Sequence, residues 1–427
     1  MGHMTPITIT FALLIFAIVM FVWEKIPLAV TSMIVCIALV LTKVLTIKQA
    51  FEGFVDSNVI LFVAMFIVGG AFFETGMASQ VGGLVTKFAK TERQCIVAVM
   101  TITGLMSGVL SNTGTAAVLI PVVIGIAAKS GFSRARLLMP LVFAAAMGGN
   151  LSLIGAPGNL IGQAALEKMN LGFSFFEYAK VGLPILVVGI IYFAFVGYKF
   201  LPEKTKTSAD SAFQQINDYS NVPIWKKKFS LIILVLTILA MIFEKQIGIK
   251  LAISGCVGAI VLVLTGVITE KQAYKSIDMQ TIFLFGGTLS LAKALSVTGA
   301  GKVMAMTVIN MLGKDASPFA LLVVVFMLAC VMTNFMSNTA TTALLVPISL
   351  NIATGMGCDP RAVIMATVIG GSCAYATPIG MPANTMVLGP GGYKFMDYVK
   401  AGLPLVLLAI VVGITLLTWL YPFYPNA

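Results

Sequence analysis

Apolar runs of about membrane length follow one another almost end to end along this chain, and that feature removes most folds from consideration. A helix needs about 20 residues to cross the hydrocarbon core of a bilayer. Runs that meet or approach that length lie at 6–22, 27–45, 57–80, 178–200, 229–243, 247–268, 278–299 and 397–421. Hydrophobic residues make up 59% of the sequence and charged residues 10%. A soluble domain carries about 25% charge, so a water-facing surface is excluded for most of the chain. The runs do not alternate, which excludes a transmembrane β-barrel. An all-α polytopic membrane protein remains, because helices satisfy their own backbone polar groups inside lipid.

Four further segments are apolar but interrupted. Segments 134–166 and 361–389 carry Gly and Pro in the middle, and each reads as one broken transmembrane helix. Segments 92–128 and 302–356 carry Ser-Asn-Thr at their centres, and each fits two spans or a re-entrant hairpin. The most basic loop, 201–228, holds Lys204, Lys206, Lys226, Lys227 and Lys228. The positive-inside rule puts it in the cytoplasm, as a linker between halves. With both uncertain segments taken as hairpins, ten spans result and both termini lie outside. Most of the 27 Lys and Arg then face the cytoplasm. Topology thus accounts for the net charge of +11 better than nucleic-acid binding does. The expected location is a bacterial or archaeal cytoplasmic (cell inner) membrane.

The two halves echo each other. Lys48-Gln49-Ala50 recurs as Lys271-Gln272-Ala273, and Glu24-Lys25 as Glu244-Lys245. Ser111-Asn112-Thr113 recurs as Ser337-Asn338-Thr339, and Pro121 as Pro347. Gly155, Pro157 and Asn159 recur as Gly380, Pro382 and Asn384. The spacing drifts only slightly, as a duplication with small insertions would leave it. The first repeat covers 1–200, with hairpin 92–128 and broken helix 134–166. The second covers 229–427, with hairpin 302–356 and broken helix 361–389. Each holds five spans. An odd number inverts the second repeat relative to the first, and inverted repeats with interrupted helices are a transporter signature.

Enzyme chemistry finds little to work with. The one histidine, His3, lies in an opening Met-Gly-His-Met that reads as an expression remnant. No GxxxxGK[ST] motif is present, so a P-loop ATPase is excluded. The six cysteines form no CxxC pair. No catalytic site is expected. The polar residues concentrate instead at the tips and breaks. Ser107 and Thr333 each stand one helical turn before a Ser-Asn-Thr. Hydroxyl and amide oxygens there suit a small hard cation. Amide nitrogens and helix N-termini suit an anion. One asparagine can serve both, oxygen to the cation and nitrogen to the substrate. Proline and glycine at the breaks free backbone carbonyls near Gly155 and Gly380, further candidate cation ligands. Glu74 and Lys293, charged in apolar runs, fit a relay, snorkelling or a scaffold ion pair. Asp56 and Asp278 are placed to cap equivalent helices.

With its two Ser-Asn-Thr tips and its Gly-Ala-Pro-Gly-Asn and Gly-Met-Pro-Ala-Asn breaks, nearly the whole chain resembles the divalent anion/sodium symporter family. These are carriers of di- and tricarboxylates and sulfate. The resemblance implies a homodimer with scaffold and transport domains and an elevator motion. It implies one sodium site from Ser107, Ser111, Asn112 and Gly155, and a second from Thr333, Ser337, Asn338 and Gly380. It places the anion near Asn112, Thr113, Asn338, Thr339 and Pro382. Ala156 and Met381 depart from it, standing where the family has threonine. The loss of hydroxyls there bears on which anion fits. No arginine lies at either tip or break, so two or more Na⁺ are expected to offset the charge of the cargo. The expected activity is sodium-coupled symport of a divalent anion, a C4-dicarboxylate such as succinate. The alternative is sodium-independent exchange of a dicarboxylate or oxyanion on the same scaffold. A cation/proton antiporter would want carboxylates at the centre, and a membrane enzyme gives no reason for mirrored tips.

Overall fold

The computed structural model describes residues 5–23, 25–203, 218–312, 317–378 and 380–424. His3, Glu24, Ile379 and the linker residues 204–217 lie outside them. Among the described residues there are only helices, turns and loops, and no strand. The expected spans appear as helices Pro6–Trp23, Leu28–Leu41, Ser57–Glu74, Ala179–Phe195, Ile224–Ile242, Leu251–Leu264, Met279–Thr298 and Phe395–Leu420. Large apolar side chains such as Ile15, Leu236, Leu264 and Leu407 are exposed along them. Such an outer surface calls for lipid rather than water.

Four expected spans are clearly shorter than the runs that announce them: 57–80 ends at Glu74, 178–200 ends at Phe195, and the other two, 27–45 and 247–268, shorten in the same way. Helices Leu28–Leu41 and Leu251–Leu264 have 14 residues each, about 21 Å at 1.5 Å per residue. Both stop at a left-handed residue, Lys43 at φ 58° and Gly266 at φ 71°. The chain then turns into matching short helices. Thr46 caps Ile47–Phe51 and Thr269 caps Glu270–Ser276, each in a reciprocal capping box with Gln49 or Gln272. Asp56 and Asp278 cap the next helices, as the sequence leads one to expect.

Left-handed residues also pair elsewhere. Gly76 matches Gly299, Gly131 matches Gly357, and Asn170 matches Gly392, every one at positive φ. The halves therefore repeat in backbone conformation as well as in residue type.

The segment expected as hairpin 302–356 holds more than a hairpin. Helix Ala300–Leu312 comes first, and the helix–turn–helix is Pro318–Thr333 with Asn338–Gly355. In the first half the short helices Met77–Gly82 and Val85–Phe88 take the corresponding place, ahead of Glu92–Ser107 and Asn112–Ser130. The broken segments are Arg134–Gly148 followed by Pro157–Glu167, and Arg361–Gly370 followed by Pro382–Gly391.

Buried aromatics hold the breaks together. The Phe143 ring lies 5.3 Å from Tyr375, 5.8 Å from Phe193 and 6.4 Å from Tyr398. It thereby joins the first broken helix to the second break and to both closing helices. The Tyr393 hydroxyl sits between turns of Arg134–Gly148, accepting from Met139 N at 2.9 Å and donating to Ala135 O. That insertion opens the helix just ahead of Pro140. Lys293 has a plain role in this framework, an ion pair with Glu52 at 3.2 Å.

Candidate functional site

Both Ser-Asn-Thr tips begin a helix. Ser111 and Ser337 are the N-caps, their hydroxyls accepting from Gly114 N and Ala340 N, each at 3.1 Å. Capping fixes where the next residue points. Asn112 and Asn338 follow directly and turn their amides inward, toward the hydroxyl one turn earlier.

Around each amide lies a cage of oxygens. Ser107 Oγ is 2.7 Å from the Asn112 side chain and 2.6 Å from Ala145 O. In the second half Thr333 Oγ1 is 2.6 Å from the Asn338 side chain and 2.6 Å from Gly371 O. Ser107 and Thr333 are fully buried. Each hydroxyl has one proton for two acceptors, so the amide orientation decides the balance. With its nitrogen turned in, Asn112 donates to Ser107 Oγ, Ala145 O and Gly155 O at 2.7, 3.1 and 3.0 Å. Asn338 reaches Thr333 Oγ1, Gly371 O and Gly380 O at 2.6, 3.2 and 3.2 Å. With its oxygen turned in, each cage becomes four converging oxygens holding a single proton. That donor set suits a hard cation. Ala145 and Gly371 bring carbonyls from the C-terminal ends of broken helices, whose dipoles also favour positive charge.

The breaks are built alike. Asn159 Nδ2 donates to Gly149 O and Ser152 O, both at 2.7 Å. Asn384 Nδ2 donates to Ala374 O at 2.6 Å and Thr377 O at 3.1 Å. The Ser152 and Thr377 hydroxyls donate to Gly108 O and Asn334 O at the facing tips. Buried Tyr178 and Tyr398 donate to the carbonyls of Asn159 and Asn384, at 3.2 and 2.6 Å. The freed carbonyls of each unwound stretch thus meet side-chain donors, as burial demands.

Between the cages lies a cavity of about 490 Å³. Asn112, Thr113, Asn338, Thr339 and Pro382 all line it, as do both capping serines. Four helices begin at its wall, at Asn112, Asn338, Pro157 and Pro382. Their N-termini turn partial positive charge toward its interior. Ala156 and Met381 are the N-caps of the two break helices and offer no side-chain cap. Among the described lining residues there is no Lys or Arg, while Glu74 and Asp278 are part of the lining. Glu74 also accepts from Gln272 at 3.5 Å.

The structure thus gathers every expected site residue into two cages and one cavity. Gly155 and Gly380 contribute through their carbonyls, and Ser111 and Ser337 bond as caps rather than within the cages. Sequence reasoning missed the Ala145 and Gly371 carbonyls, which no residue type announces. It missed the loop-closing role of Asn159 and Asn384, although their recurrence was visible.

This arrangement defines a helical membrane protein with a duplicated polar centre, and comparison with known proteins gives its family. Residues 18–370 match the model of the citrate transporter family (CitMHS), and the chain belongs to that family. It is a family of transporters and not of enzymes. A Haemophilus influenzae protein described as an uncharacterized transporter is 29% identical, over 95% of this chain and 90% of its own length. The sodium-dependent dicarboxylate transporter SdcS of Staphylococcus aureus is 24% identical, over 93% of this chain and 83% of its own. Among solved structures, Neisseria gonorrhoeae MtrF aligns at TM-score 0.64 and 15% identity, over 90% of this chain and 84% of its own. The Alcanivorax borkumensis YdaH transporter aligns at TM-score 0.64 and 16% identity, over 87% of each chain. These two share the fold.

Proposed function

We propose that this transporter is a sodium-coupled symporter of a small divalent anion, a C4-dicarboxylate such as succinate. The observation that carries the reading is the pair of cages, each with an asparagine amide between buried oxygens and the cavity. Sodium in a cage turns the amide oxygen toward itself. The amide nitrogen then faces the cavity and donates to a carboxylate. Without sodium the nitrogen turns back to the cage carbonyls, and the oxygen presented to the cavity repels the anion. Two cages correspond to at least two Na⁺. Their charge offsets that of a cargo entering a cavity without basic side chains. The kinship to SdcS, a sodium-dependent dicarboxylate transporter by name, points the same way.

In this reading Ser107, Asn112, Ala145, Gly155 and Thr333, Asn338, Gly371, Gly380 hold sodium, with Ser111 and Ser337 fixing the asparagines. Thr113, Thr339 and Pro382 face the anion. The halves form an inverted repeat with re-entrant hairpins, 201–228 links them in the cytoplasm, and the protein works as a homodimer in the inner membrane. The tip and break helices move as an elevator against the helices of 6–74 and 224–298. The cavity reaches Glu74 and Ser276, the cytoplasmic ends of their helices by charge bias. At the opposite end Asn58 Nδ2 donates to Glu167 Oε2 at 3.1 Å, tying the two groups of helices together.

The test is uptake of labelled succinate into proteoliposomes, with an inward sodium gradient set against a matched potassium gradient. Concentrative uptake with sodium alone, lost in Asn112→Ala and Asn338→Ala, is the expected result. Citrate and sulfate as competitors rank the cargo. Uptake that needs internal succinate and ignores sodium would establish the exchanger instead.

A further inference from the structure

The tips and breaks line the cavity mostly in matched pairs: Asn112 with Asn338, Thr113 with Thr339, and Pro157 with Pro382. Two polar lining residues there have no polar match. Thr342 corresponds to Ala116, and Ser372 falls opposite Ala146 or Met147 in the first broken helix. Both hydroxyls come from the second half, so the floor of an otherwise two-fold cavity is polar on one side only.

Thr342 stands at the meeting of the two breaks. Its Oγ1 lies 2.9 Å from where a Cβ would stand on Gly158 and 2.7 Å from where one would stand on Gly371. The residue is almost fully buried, 2% exposed. The hydroxyl donates to Asn338 O at 2.9 Å. Its one proton is therefore used, and toward a ligand it can only accept. Ser372 is in the same position, donating to Val368 O at 3.2 Å and Asn150 Oδ1 at 3.3 Å. The other tip and break residues that line the site ask for an acceptor, through amide nitrogens and helix N-termini. This side of the floor asks for a donor.

We propose that Thr342 is a specificity-determining residue, accepting a hydrogen bond from a hydroxyl carried on the carbon chain of a dicarboxylate. The inference rests on the dicarboxylate reading above and narrows it to a hydroxylated C4-dicarboxylate. A hydroxyl at C2 makes such a molecule asymmetric. An acceptor on one side of a paired cavity meets that hydroxyl in one hand and misses it in the other. The site therefore selects an enantiomer. Succinate, which has no hydroxyl, leaves the Thr342 oxygen without its partner. A single hydrogen bond of this kind corresponds to a preference of about tenfold.

The experiment is calorimetric titration of the purified protein in sodium with succinate, L-malate and D-malate. One malate enantiomer is expected to bind about tenfold tighter than the other and than succinate. In Thr342→Val the difference between the two malates disappears, and in Thr342→Ser it is kept. Wild-type protein that binds succinate but prefers neither malate overturns the inference alone, and needs no variant to fold. So does a preference that survives Thr342→Val. If none of the three ligands binds in sodium, the dicarboxylate reading fails and takes this inference with it.

Discussion

Lys43 occupies a backbone position that a side chain resists. Its φ of 58° is left-handed, and the matching residue of the second half is Gly266 at 71°. For an L-residue that region crowds Cβ against the following carbonyl, and glycine escapes the clash. Replacing Lys43 by glycine relieves the strain, though a more flexible unfolded chain returns part of the gain. Left-handed strain of about 1–2 kcal/mol set against about 0.5–1 kcal/mol of added chain freedom leaves an expected net stabilisation of about 0.5–1 kcal/mol for Lys43→Gly. Gly266→Ala should destabilise by at least as much. Melting curves of the two variants in detergent check the pair, and opposite shifts are the predicted outcome. The same residue explains a limit of reading from sequence. Apolar residues continue past both turns, as Val44-Leu45 and Val267-Ile268, so each run looked longer than the helix it forms; Gly266 could have marked its helix end, and Lys43 could not.

At the scale of elements, the closing helix of each half lies directly on its break. A methyl group at Gly182 would overlap Asn150 O, and one at Gly402 would overlap Tyr375 O. Backbone carbonyls cannot step aside as a flexible side chain can. Gly402→Ala is therefore expected to cost about 1–3 kcal/mol. Gly125→Ala, in a helix with open space around that position, should be neutral or slightly stabilising. Thermal unfolding of both variants, followed by the same probe, separates close approach from a general effect of alanine. Most elements could be read from the chain because a lipid-facing helix must be apolar along its length. The tips and breaks could be read because polar residues and Pro-Gly stretches are costly inside a membrane and so stand out. The helix Ala300–Leu312 could not, since it is apolar and adjoins an apolar hairpin. The Ala145 and Gly371 carbonyls could not, since a carbonyl leaves no mark on residue type.

For the whole molecule, the central claim is that two asparagine amides link sodium to the anion. Linkage makes this reciprocal, so sodium must tighten the anion by the factor by which the anion tightens sodium. Each amide turned toward a carboxylate contributes a hydrogen bond to a charged group, worth about 1.5–3 kcal/mol. That corresponds to about 10- to 150-fold in affinity for each cage. The most direct measurement is the affinity for succinate by titration calorimetry in sodium and in an equal concentration of potassium, for wild type, Asn112→Ala and Asn338→Ala. The account predicts affinity at least tenfold tighter in sodium for the wild type, with part of that factor lost in each variant. Equal affinity in the two salts, or a sodium effect untouched by both substitutions, would contradict it.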